Sequence, residues 1–226
     1  MLILVGDSSL YCRQNALEAL SVIGDASSIV KALHIIDESG YYHHSKLISD
    51  ALLDFSGNNI KLSDLLWSEF PKFSEKMQLS ILDFFRFSSG EHVKRVFQLL
   101  TSKDTSDEIK YSCIRYLGKF HYDPAYPYLL DYAKDTDEVH WEYTAITAMS
   151  LAAYPCEQTK EVLKNLLHSS NWYVRYNASQ SLETLGYTYT DLIDIFDGDD
   201  RYASEIMRYR LDQKKLKESE ATLNDA

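Results

Sequence analysis

Arg13-Gln14-Asn15-Ala16, with Leu20 and Gly24 downstream, returns near the far end of the chain as Arg175-Tyr176-Asn177-Ala178 with Leu182 and Gly186. Arg, Asn, Ala, Leu and Gly keep the same offsets in both stretches. Steps of about 30 to 34 residues lead from Gly24 through Gly57, Ser88, Gly118 and Ala152 to Gly186, a period used by two-helix repeats. Four residues before each of these positions stand Leu20, Leu53, Phe84, Ile114, Ala148 and Leu182, all apolar. Eight before stand Ala16, Ser49, Ser80, Lys110, Thr144 and Ala178, small in every case but Lys110. One before stand Ile23, Ser56, Phe87, Leu117, Leu151 and Leu185. Small residues let two helices approach, and large ones fill the space between hairpins.

The pattern predicts first helices over 9–23, 42–56, 73–87, 106–117, 138–152 and 172–185. It predicts second helices over 26–37, 61–70, 91–101, 124–133, 157–168 and 188–196. Gly24, Gly57 and Gly118 read as C-terminal stops. Asp123-Pro124 reads as an N-cap followed by proline in the first turn. Ile206, Met207, Tyr209 and Leu211 lie on a charged body that predicts a last, capping helix over 199–217, with 218–226 frayed. The fold class is therefore all-α: a right-handed α-solenoid of about six antiparallel hairpins (residues 9–198) plus a capping helix.

Bulk composition agrees. Only 8 glycines and 4 prolines occur in 226 residues, which disfavours a turn-rich β protein. A net charge of −11 argues against a phosphate-backbone partner. Cys12, Cys113 and Cys156 lack zinc spacing and form no disulfide framework, so they read as buried free thiols in a reducing, cytoplasmic setting. Met1-Leu2-Ile3-Leu4-Val5 is too short to span a bilayer, which takes about 20 residues. Two readings of residues 1–8 stand: an apolar lead-in packing on the first helix, or the trimmed edge of a membrane segment in a parent protein.

Val174-Arg175, Ala178, Leu182 and Leu185-Gly186 resemble the HEAT repeat signature, in particular the bacterial short-repeat branch related to phycobilin lyases. Arg13 to Gly24 resembles a second copy. Gly118 to Asp135 resembles the second half of one. Residues 42–101 depart from the signature and rest on spacing alone. The resemblance implies an α-solenoid and leaves function open, since such domains scaffold, bind peptides, hold pigments or grip DNA. It also implies that Arg13 and Arg175 are structural, tying neighbouring helices together.

Catalytic patterns are hard to find. Glu138, His140 and Glu142 alternate, and residues two apart on a helix face different ways. Asp194, Asp197, Asp199 and Asp200 crowd one stretch without the order of a calcium loop, and read as a solvated linker. No nucleotide-binding or nucleophile-elbow motif is present. No catalytic residue, metal or cofactor is expected.

The aromatic content is unusual: 17 tyrosines and 3 tryptophans. Tyr122, Tyr126, Tyr128 and Tyr132 crowd one helix. Trp141 and Tyr143 begin the next repeat, and Trp172, Tyr173 and Tyr176 the one after. Trp141 and Trp172 hold similar places, so a stacked row is expected. Two readings follow: amphipathic residues sealing the seams between repeats, or a partner-binding surface. The second makes Tyr122, Tyr126, Tyr128, Tyr132, Trp141, Trp172 and Tyr173 the candidate site. Nearby Asp123, Asp131, Asp135, Asp137 and Glu138 would suit a basic or polar partner segment. The expected function is a non-catalytic scaffold for a protein or peptide. The alternative is a HEAT-like lyase or enzyme-associated subunit acting on a bound cofactor or modified protein.

Overall fold

A computed structural model describes residues 1–39, 45–134 and 140–224. Among these the chain is all-helical, without strands. The α-helices are α1 Leu10–Ile23, α2 Ala26–Glu38, α3 Ser45–Leu53, α4 Asn59–Glu69, α5 Glu75–Ser88, α6 Val93–Thr101 and α7 Asp107–Leu117. They continue as α8 Tyr126–Lys134, α9 Trp141–Ser150, α10 Glu157–Leu166, α11 Trp172–Thr184, α12 Ile193–Phe196 and α13 Arg201–Asn224. Two compact units result: Met1–His92 with Leu99–Cys113, and Val93–Gln98 with Ile114–Ala226.

In the first unit α1 packs on α3 and α3 on α5, while α2 packs on α4. Local chemistry starts each helix. Asp25 accepts from the Ser28 amide ahead of α2, and Asn58 from the Lys61 amide ahead of α4, each at 2.9 Å. Ser74 caps α5 while its own amide and hydroxyl donate to Asp37, on α2. Ile29, Leu33, Leu52, Leu62, Leu66, Met77 and Phe85 are fully buried at the centre. The turns after successive first helices touch. Gly24 ends α1 at φ 76°, and a Cβ on Gly57 would run into its carbonyl. Ser56 seals the contact, its hydroxyl donating to the Val22 carbonyl at 2.7 Å. The 3₁₀ turn Leu4–Gly6 packs on α1 and α2 with Val5 buried, although Ile3 is exposed.

The second unit repeats the plan. α9 packs on α8 and α11, α11 packs on α13, and α10 packs on α8 and α11. Asn177 on α11 donates to the Ala145 carbonyl of α9 at 2.7 Å, and Ser181 donates to Ala148 at 2.7 Å. Gly118 sits against Ser150, at the end of α9, so closely that a Cβ would lie 2.7 Å from its Cα. Leu129, Leu163, Leu167, Val174, Ala178, Leu182 and Met207 form the core.

The two arginines of the opening motif do the same job at the same offsets. Arg13 donates to the carbonyls of Asp7 and Ser8, and Arg175 to those of Ser169 and Ser170. In both, the partners lie six and five residues back. Through these bonds each guanidinium fastens the segment leading into its own helix. Asn177 makes the inter-helix tie, whereas Asn15 bonds its own helix at Tyr11.

Several expectations need correction. Residues 188–196 are helical only over Ile193–Phe196, because Asp191 accepts from both the amide and the hydroxyl of Thr188 and diverts the backbone into a turn. Asp123 does not cap a helix; it accepts from His121 at 2.7 Å. Leu52 rather than Leu53 is buried, since α3 stops before Gly57 and counting back from the glycine lands one residue late. Ile23 and Phe87 are exposed, so only Leu117 and Leu151 of the positions preceding the turns are core residues. Cys113 is buried, but Cys156 is exposed. Helix α13 continues past residue 217 to Asn224. The predicted helix starts at 42 and 138 lie outside the described residues, as do Asp135, Asp137 and Glu138.

Candidate functional site

All seven candidate residues lie in the second unit, in three groups. Tyr122 and Tyr128 hold the ring of Phe97 edge-on, at 5.5 and 5.2 Å. Tyr126 lies parallel to Tyr154 at 5.6 Å. Tyr154 is buried, and its hydroxyl donates to the Leu117 carbonyl at 3.0 Å and accepts from the Tyr122 amide. Burial pushes the Tyr154 phenol up. This group is a seam between hairpins with one rim residue, Tyr128, left in solvent.

Tyr132 stacks on Tyr143 at 4.7 Å, nearly parallel, and its carbonyl accepts from Thr144. That pair joins α8 to α9 and is structural in character.

The third group is the exposed one. Trp141 stacks on Tyr173 at 5.3 Å, Trp172 meets Tyr173 edge-on at 5.2 Å, and Trp172 stacks on Tyr176 at 4.9 Å. The ladder ends with the Arg210 guanidinium 4.2 Å from the Tyr176 ring centre. Trp172 and Tyr173 are each more than half exposed. The expected row thus exists, but Tyr173 intervenes: the two tryptophans reach each other through it. They start α9 and α11, and Asn171 caps the latter by accepting from the Tyr173 amide at 2.8 Å. That cap fixes where Trp172 and Tyr173 leave the backbone.

Beside the ladder a groove of about 290 Å³ opens between α11 and α13. Trp172, Arg175 and Tyr176 form one wall; Tyr202, Glu205, Ile206 and Tyr209 form the other. Sequence reasoning misses this second wall, although Tyr202, Ile206 and Tyr209 at i, i+4 and i+7 are one helical stripe. It also misses Phe97 and Tyr154, whose partners are distant in sequence.

The acidic residues thought to surround the site are dispersed. Asp123 pairs with His121 and Asp131 with Lys134. The aspartates near residue 197 have structural work. Asp194 binds Lys164 at 2.5 Å, and Asp200 accepts from His168 and from the amides that open α13. Among the described residues no group of three or more His, Cys, Asp or Glu could hold a metal ion.

One reactive group stands out. Cys156 precedes α10, with its Sγ 2.9 Å from the Tyr126 hydroxyl and 3.4 Å from Thr159 Oγ1. Partial burial opposes ionisation, but the bonds from Thr159 and Tyr126 outweigh it, leaving the thiol below its ordinary value. Burial pushes the Cys113 thiol up to about 12.

No protein-family model matches the chain, and no curated protein matches it in sequence. Among the described residues no helix is long and apolar enough to cross a membrane.

Proposed function

We propose that the chain is a HEAT-like, right-handed α-solenoid acting as a non-catalytic scaffold, which holds a protein or peptide partner on the aromatic surface of its second unit. The fold half of this reading is supported by repeated hairpin contacts within each unit, by the shared offsets of Arg13 and Arg175, and by the close turns at Gly57 and Gly118. One observation carries the functional half. Trp172 and Tyr173 stand more than half exposed in the middle of a continuous ladder of rings that runs from Trp141 to Tyr176, beside an open groove. Exposed, pre-stacked aromatic rings give large contact area at little entropic loss, as in binding hot spots. We place the protein in the cytoplasm on its free thiols.

The test is capture. The immobilised chain is challenged with native lysate, alongside Trp172→Ala/Tyr173→Ala and Tyr128→Ala variants with unchanged melting. The reading requires at least one specifically retained protein that the double variant loses. Full retention by the double variant would refute the surface.

A further inference from the structure

Resting on that reading, we infer that the groove between α11 and α13 is a docking site for an acidic peptide segment carrying an apolar anchor. Two helical stripes face each other across it. Trp172, Arg175 and Tyr176 occupy i, i+3 and i+4 of α11; Tyr202, Glu205, Ile206 and Tyr209 occupy i, i+3, i+4 and i+7 of α13. Aromatic residues line both walls, and Ile206 lies between Tyr202 and Tyr209 along α13. Its volume of about 290 Å³ is at the small end for a ligand cleft, so it holds side chains rather than a folded element.

Charge selects the partner. The Arg175 guanidinium lies over Tyr202 at 5.5 Å, and its hydrogen bonds to Ser169 and Ser170 use Nη1 alone. Those bonds go to neutral carbonyls, so they leave its charge uncompensated. Arg210 at the Tyr176 end meets Glu183 at 3.7 Å, a long pairing, and donates to neutral Gln180. Glu205, the carboxylate of the groove wall, is bound by Arg201 at 2.6 Å. Arg175 and Glu205 are the charged residues of the groove's lining; with Glu205 held by Arg201, the charge that remains for a partner is that of Arg175. A carboxylate seated beside Arg175 and an aliphatic or aromatic side chain between the walls satisfy both features. Single-stranded nucleic acid also stacks on aromatic rings, but it needs a cationic track along its backbone, and here Glu205 and Asp212 interrupt α13.

A short fluorescein-labelled peptide with glutamates flanking a Leu-Trp-Leu centre is titrated with the full chain by anisotropy. Glutamine and lysine versions and an oligo-uridylate serve as comparisons. The glutamate peptide should bind about tenfold more tightly than the glutamine one, and the lysine peptide least. Tyr202→Ala and Tyr209→Ala, at exposed positions, should weaken it several-fold with unchanged melting. Arg175→Gln should bring the glutamate and glutamine peptides together. Equal binding of glutamate and glutamine peptides overturns the inference. So do preference for oligo-uridylate, absence of an anisotropy change at millimolar protein, and a dimer that Tyr209→Ala dissolves. Lysate capture indifferent to Tyr202→Ala and Tyr209→Ala, yet lost in Trp172→Ala/Tyr173→Ala, sinks the groove and leaves the wider reading standing.

Discussion

Replacing Gly118 with alanine isolates close approach from backbone conformation. The new Cβ would lie 2.5 Å from Ser150 Cβ and 2.7 Å from its Cα, against 3.4–4 Å for ordinary contact. The end of α9 must therefore retreat by nearly 1 Å, with backbone as well as side chain displaced. Overpacking of this kind is destabilising by about 1–3 kcal/mol. At this chain length that lowers the melting temperature by roughly 2–12 °C. Gly186 is the opposite case: φ is 84°, and nothing lies within 4 Å of an added Cβ. Gly186→Ala should lose about 1–2 kcal/mol through the left-handed backbone alone. The two are separable by rescue. Ser150→Gly should recover part of the Gly118→Ala loss, with a coupling of about 1 kcal/mol in a double-mutant cycle, and nothing of the Gly186→Ala loss. Asparagine at 186 should be milder than alanine, because it tolerates the left-handed region. Differential scanning calorimetry on the four singles and the two doubles decides it. A Gly118→Ala protein melting within 1 °C of the parent, or zero coupling to Ser150, would refute the packed-turn account.

Asn177→Ala, which removes the α11-to-α9 bond, should destabilise by about 1 kcal/mol, and Asn15→Ala by clearly less, in urea unfolding. Iodoacetamide should alkylate Cys156 well before Cys113, and Tyr126→Phe should slow it by removing a bond that favours the thiolate; equal labelling of both native thiols, read by peptide mass spectrometry, would count against this. His121 is raised above its ordinary 6.5 by donating to the Ala153 carbonyl and to Asp123, so its charged form stabilises the fold. That contribution is complete below 6.5 and fades as pH rises through the higher folded value; at half exposure it stays well under about 1 kcal/mol. His121→Asn should flatten this decline in melting temperature as pH rises above 6.5.

Much of the helical plan is legible in the sequence because it is local. The stop at Gly24 sits where its chemistry demands, and helices α1, α2 and α11 begin and end within a residue or so of expectation. Where expectation fails, a nearby competitor wins: Thr188 and Asp191 make a turn in place of a helix, and His121 takes the Asp123 oxygen needed for a cap. Leu53 fails because α3 ends four residues short of its glycine, which shifts the helical phase. The candidate surface is less legible. Tyr126 and Tyr132 carry the same residue type as Tyr173 but are spent on seams. Only the relative rotation of neighbouring helices, invisible in one sequence, sorts buried from exposed rings. The groove wall on α13 is readable as a stripe, yet its partner wall lies some thirty residues earlier on α11.

The central claim is that a partner docks on the exposed rings of the second unit. Site-specific photo-crosslinking tests it most directly. A benzoyl-phenylalanine is installed at Tyr173 in one protein and at Tyr11, which is 75% exposed in the first unit, in another. The account predicts a discrete protein adduct from position 173 on irradiation in lysate, suppressed by Trp172→Ala, and none of comparable yield from position 11. An adduct from position 11 with none from 173 would contradict it.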